Sequence, residues 1–160
     1  VIVLKNLLFT VLVPGTVAGL VPHGILSSAG QWRWPGWGPL PVLGALVFTA
    51  GLSIYARCVI DFARARGTPA PIDPPKQLVV RGLYRYSRNP MYVGVLSVIL
   101  GQALFFASAR LALYAAAVFC AFHAFVLFYE EPALRRRFGP SHDRLCARVP
   151  RWLGRPRDAA

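Results

Sequence analysis

Acidic residues are scarce in this chain. Its 160 residues include six Asp and Glu against eighteen Lys and Arg, a formal net charge of +12. Cysteine is rarer still: Cys58, Cys120 and Cys146 form no CxxC pair, which argues against a disulfide framework or a zinc knuckle. The three histidines, His23, His123 and His142, are scattered, a poor basis for metal catalysis. There is no P-loop, no GxGxxG and no nucleophile elbow, so neither a phosphate cradle nor a serine nucleophile is indicated.

What the chain has in excess is oil. Apolar residues make up 56% of it, where roughly 45–50% is usual for a soluble domain. They come in blocks: Ile2–Val21, Leu40–Ile60, Met91–Ala107 and Leu111–Tyr129, the last two without any charge. A bilayer core takes about 20 apolar residues per helix. The expectation is an all-α integral membrane protein of about four transmembrane helices. The chain starts at Val1, and its first block lacks a strongly basic start and a clean cleavage site, so it is expected to be a retained helix.

The cations alternate along the chain. Six Lys/Arg fall between Phe62 and Asn89, and eight follow Glu131, whereas Pro22–Pro39 holds only Arg33 and Phe106–Leu111 only Arg110. This is the positive-inside pattern, and it places both termini and the middle loop in the cytoplasm. The charge then reflects topology and anionic lipid headgroups, not nucleic acid.

Local signals refine this plan. The Trp-, Gly- and Pro-rich stretch Pro22–Pro39 is expected to be an interfacial loop, and Gly15 and Gly19 a close-packing GxxxG. Cys58 and Cys120 are expected to be small apolar filler. Pro69, Pro71, Pro74 and Pro75 favour an extended loop, longer than a plain connector. Asn89 and Pro90 suit an N-cap followed by proline at the first helical position. The fourth helix is expected to end at Glu130–Glu131, with Pro132 opening a short helix that Gly139 stops. Leu145, Val149 and Trp152 are then expected to lie on lipid.

All six acidic residues, Asp61, Asp73, Glu130, Glu131, Asp143 and Asp158, fall on the cytoplasmic side of this topology. Two adjacent carboxylates at a lipid boundary are costly unless paired or facing a polar cavity. Neighbours on a helix point about 100° apart, so one can face a site while the other pairs with arginine. A salt-bridged helix end is the plainer alternative. His123, seven residues before Glu130, can share its face as a polar contact inside the bundle. "YRYSRNPMYVG" ends on the same membrane face as the pair, and a ligand carrying both charges and an adenine-like ring would suit the combination.

"RNPMYVG", followed some 35 residues later by "EEPALRRRFG" and then "VPRW", resembles the isoprenylcysteine carboxyl methyltransferase and phospholipid methyltransferase superfamily. The likeness runs from about Gly67 to Trp152. It implies a single membrane methyltransferase domain over 1–160, with the first two helices in 1–60 and the catalytic half in 61–160. It also implies S-adenosylmethionine as cofactor, bound by that half at the cytosolic interface with its C-terminal interfacial helices, and a lipophilic acceptor reaching it from the bilayer. By resemblance, Gln77, Leu78, Val79, Gly82, Tyr84, Asn89, Pro90, Tyr92 and Glu130 are expected to bind the cofactor. Arg88, Glu131 and Arg137 are expected to serve the reaction. Two departures stand out: Asn89 where relatives often have His, and His142 and Leu145 where relatives have tyrosines.

A carboxylate acceptor is ionised at neutral pH and needs a cation to hold it, from Arg88 or one of Arg135–Arg137. An amine acceptor must lose a proton, which makes Glu130 or Glu131 a candidate base. The carboxylate acceptor is preferred because arginines outnumber credible bases. An NADPH-dependent membrane reductase and a noncatalytic lipid-binding module are the alternatives from other classes.

Overall fold

The computed structural model describes residues 12–64 and 82–155. The beginning of the first block, the proline-rich loop and Gln77, Leu78 and Val79 lie outside the described residues.

The described residues are helical and contain no strand. A π-helical turn, Thr16–Leu20, leads into α1 (Val21–Ser28). There follow α2 (Pro39–Arg64), a 3-10 turn (Gly82–Arg85), α3 (Pro90–Phe105) and α4 (Ala109–Phe125). A second π turn, Val126–Glu130, then α5 (Glu131–Phe138) and α6 (Pro140–Arg148) complete the order. Two helices, Pro39–Arg64 and the run Ala109–Phe138, are long and apolar enough to cross a membrane, and Pro90–Phe105 is a shorter apolar helix.

Three expectations need correction. The segment after Pro22 is not loop until Ala29, because α1 continues to Ser28. The fourth helix does not end at the glutamate pair but runs on to Phe138 through the π turn. Proline at 132 lacks an N–H and would crowd the carbonyl one turn back. The wider turn, in which the Glu131 N–H reaches Val126 O, accommodates it. Gly139 does stop the helix, with a φ of 49°. The third correction concerns packing: a Cβ at Gly19 would meet nothing within 4 Å among the described residues.

Close packing occurs instead between α2 and α3. Gly44 and Gly51 on one face Gly94 and Gly101 on the other, each pair seven residues apart. A Cβ on Gly51 would stand 2.8 Å from Gly94 O and Val98 N. Backbone therefore lies against backbone, which only glycine permits. A second core joins α1, α3 and α4 through Leu26, Ile99 and Leu111.

These contacts sort the connections into two ends. At one, Ser108 Oγ donates to Gln31 Oε1 at 2.7 Å, and the Trp32 ring stacks on Phe106. Trp34 and Trp37 are exposed there, beside Phe105. The other end gathers the 3-10 turn, the start of α3, the glutamate pair and α6 with the segment after it.

Candidate functional site

The arginine-rich end is organised around the start of α3. Pro90 fixes the first helical φ, and Asn89 is the N-cap residue, as the sequence suggests. Its side chain does not cap the helix, however. Asn89 Nδ2 donates instead to the Arg151 carbonyl at 3.0 Å, while its N–H is taken by Ser87 Oγ at 3.0 Å. The Arg88 N–H donates to Pro150 O at 3.0 Å, and the Gly154 N–H to Tyr86 O at 3.2 Å. Residues 86–89 and 150–154 thus lie antiparallel, with the later segment strapped over the motif.

The side chains beneath the strap form an ion triad. Arg88 Nη1 donates to Glu131 Oε1 at 2.9 Å. Arg151 grips the same carboxylate with two bonds, Nε to Oε1 at 2.7 Å and Nη2 to Oε2 at 3.1 Å. Side-chain exposures are 14% for Arg88, 21% for Glu131 and 30% for Arg151, so water screens these charges only partly. Arg88 Nη1 also lies 2.7 Å from Cys146 Sγ, and His142 is buried beside that thiol. Burial, followed by the charge of Arg88, lowers the His142 imidazole below its usual range, and burial raises the Cys146 thiol.

Arg88 keeps one edge unpaired. Its Nε is buried and has no acceptor, and no described residue accepts from Nη2. A buried charged donor without a partner costs about 1–3 kcal/mol or more, which makes it a candidate ligand contact.

Glu130 points to a different partner. Tyr92 OH donates to its Oε2 at 3.0 Å, and the Tyr92 ring packs on Phe122 of α4 at 4.7 Å. No described residue brings Glu130 a cation. Neighbouring glutamates therefore have unlike surroundings: Glu131 is neutralised twice and Glu130 not at all. Tyr92→Phe removes the one described donor to that carboxylate, worth about 1.5 kcal/mol. Methyl transfer should fall about tenfold with little change in melting temperature, and an unchanged rate would detach Tyr92 from the site.

The remaining expected residues are placed as follows. Tyr84 is buried with Cys58 and Met91, its phenol raised by burial, so it packs the floor of the site. Gly82 has a φ of +62°, and a Cβ there would stand 2.7 Å from Asp61 Oδ2. Arg137 is not in the triad: it is exposed, with its guanidinium over the Phe138 ring. The second guanidinium at Glu131 is that of Arg151, to which the sequence alone assigns no role. Val149 and Trp152 do not lie on lipid as expected. Val149 is buried, and Trp152 Nε1 donates to His123 Nδ1 at 3.2 Å, with its ring against Phe119. His123 is therefore a polar contact inside the bundle. Cys58 is buried filler, but Cys120 is exposed.

No curated protein and no solved structure matches the chain. A family model described as phospholipid methyltransferase matches residues 41–141, a span that holds all but the first two residues of α2, all of α3, the Arg88–Gly94 motif and both glutamates. That match covers well over half of the chain, which therefore belongs to the phospholipid methyltransferase family and is a membrane methyltransferase for lipophilic substrates.

Proposed function

We propose that this protein transfers a methyl group from S-adenosylmethionine to the carboxylate of a lipophilic, isoprenylcysteine-like acceptor. The reading places about four helices in the membrane and the arginine-rich end in the cytoplasm, following the Lys/Arg distribution. The observation that carries it is the unpaired Nε–Nη2 edge of Arg88, a planar fork shaped for a carboxylate on a guanidinium that Glu131 holds through Nη1.

The residues present fit the cofactor. Glu130, without a described cation, suits a positive group, and the N-terminus of α3 lies next to it through Tyr92. When bound, S-adenosylmethionine supplies an electrophilic methyl on a sulfonium. The chain's own work is to hold, orient and desolvate. Arg88 fixes both oxygens of the acceptor carboxylate through one edge, and each oxygen keeps a second lone pair with which to attack the methyl. No base is needed, since the acceptor is already ionised. Alignment of the reacting atoms can supply about 7–11 kcal/mol of the barrier. The chemistry is thus mainly a matter of placement.

A second reading, methylation of a lipid amine such as phosphatidylethanolamine, is favoured by Glu130 itself, an uncompensated carboxylate able to take a proton. The test offers radiolabelled S-adenosylmethionine to the full chain in detergent with N-acetyl-S-farnesylcysteine or phosphatidylethanolamine. A base-labile methyl ester on the first is the expected product. Label on the amine alone would transfer the assignment to the second reading. If calorimetry detects no binding of S-adenosylmethionine or its demethylated product, while NADPH raises the melting temperature, the protein is a reductase. Binding without turnover on any acceptor would favour a lipid-binding module.

A further inference from the structure

The strap that follows α6 lies beyond residue 141, where the family match ends. It nevertheless brings Arg151 into the centre of the site. Glu131 Oε1 receives bonds from both Arg88 and Arg151, while Oε2 receives its bond from Arg151 alone. A free carboxylate beside a guanidinium prefers two parallel bonds to one. With Arg151 in place, Glu131 is occupied and can spare Arg88 only Nη1. Without Arg151, both carboxylate oxygens become available to Arg88, whose Nε and Nη2 have no described acceptor.

We propose that Arg151 is a positioning residue: it occupies Glu131 so that the Nε–Nη2 edge of Arg88 stays unpaired and available to a ligand carboxylate. This rests on the reading of Arg88 as the carboxylate holder. Charge gives the same answer as geometry. Two guanidiniums around one carboxylate leave a single positive charge, matched by one anionic ligand, whereas Arg88 and Glu131 alone are neutral. The strap fixes Arg151 from its backbone, since its carbonyl is held by Asn89 Nδ2 and Ser87 Oγ. The next residue, Trp152, is anchored to His123 on α4. Asn89 therefore acts through the strap. A histidine there would lack the amide donor that reaches the Arg151 carbonyl in this geometry.

Two ligands bring a carboxylate to this site, the acceptor and the amino-acid tail of the cofactor, and the experiment separates them. The full chain in detergent is titrated with N-acetyl-S-farnesylcysteine against its methyl ester, and with S-adenosylhomocysteine against its decarboxylated analogue. Wild-type protein is expected to prefer the acid in the first pair. Arg151→Gln should weaken binding of that acid about 10–100-fold, the size of one charge-assisted contact, and leave the ester unchanged. Arg151→Lys should fall between them. The decisive variant is Glu131→Gln with Arg151→Gln, in which Arg88 is no longer captured. It should regain most of the acid affinity lost in Arg151→Gln, whereas a purely structural role predicts a further loss. An Arg151→Gln protein that retains full acid preference, or a double variant weaker than the single, overturns the proposal. Acid preference in the cofactor pair alone, lost and regained in the same way, supports it with the cofactor as the carboxylate source. A wild-type protein that prefers the acid in neither pair overturns the carboxylate reading and the proposal with it.

Discussion

Replacing Glu131 by glutamine is expected to remove nearly all methyl transfer while leaving carboxylate binding in place. The substitution keeps the shape and discards the charge that holds two guanidiniums together. Arg88 and Arg151 would then repel each other at close range in a partly desolvated site. Breaking a buried pair by removing one partner costs about 3–5 kcal/mol, and the residual exposure of this triad puts the loss near the lower limit, about 3 kcal/mol. Melting temperature in detergent should fall accordingly. The catalytic effect is larger than stability alone would give, because Arg88 loses the bond that orients its unpaired edge. Small misplacement of a reacting group costs about a hundredfold, so kcat/KM should drop by at least that factor. Glu131→Asp, which retains the charge but withdraws it by one methylene, should recover part of the rate and most of the stability. A folded Glu131→Gln protein with wild-type turnover would show that the triad is no part of the active site.

The second large effect is expected far from any charge. Gly51→Ala places a methyl group where Gly94 O and Val98 N stand 2.8 Å from the new atom. Two effects oppose each other. Alanine is the better helix former by about 0.5–1 kcal/mol. Overpacking typically costs about 1–3 kcal/mol, and more where the obstacle is backbone that cannot change rotamer. Packing wins. Lipid tails are as apolar as the helices, so close backbone contact is what holds such helices together. A net loss of about 2 kcal/mol is therefore expected for Gly51→Ala, and unfolding or misassembly for Gly51→Leu. Activity should fall too, because α3 carries Asn89, Pro90 and Tyr92, and any tilt away from α2 moves all three. Thermal unfolding in detergent checks this, with Gly19→Ala as the control: no described residue lies within 4 Å of a Cβ there, so it should be neutral or stabilising. Equal or higher stability for Gly51→Ala would overturn the packing argument.

Much of the site was legible because its residues carry costs that only function or pairing can offset. Two carboxylates at a lipid boundary and an Asn-Pro start to an apolar helix are local facts, readable without a partner in view. The structure joins them through Arg88 with Glu131 and Tyr92 with Glu130. Arg151 was harder to see. One arginine among eight after Glu131 has no local mark that sets it apart. Its role comes from the strap, whose backbone bonds reach back more than sixty residues. Arg137 belongs to the run Arg135–Arg137, from which the sequence analysis draws a cation for an acceptor carboxylate. Arg137 lies six residues beyond Glu131 along the helix, and its guanidinium stays at the surface over the Phe138 ring.

The sequence alone determined that this protein is helical and apolar, that its cations collect at one end, and that a motif pair marks a methyltransferase. Those properties follow from composition and period, which every residue carries whatever its neighbours are. The tertiary structure decided which arginine meets Glu131, which glycines face each other, and that the strap closes over the α3 start. Such choices are set by distances between segments far apart in the chain, and no local preference encodes a distance.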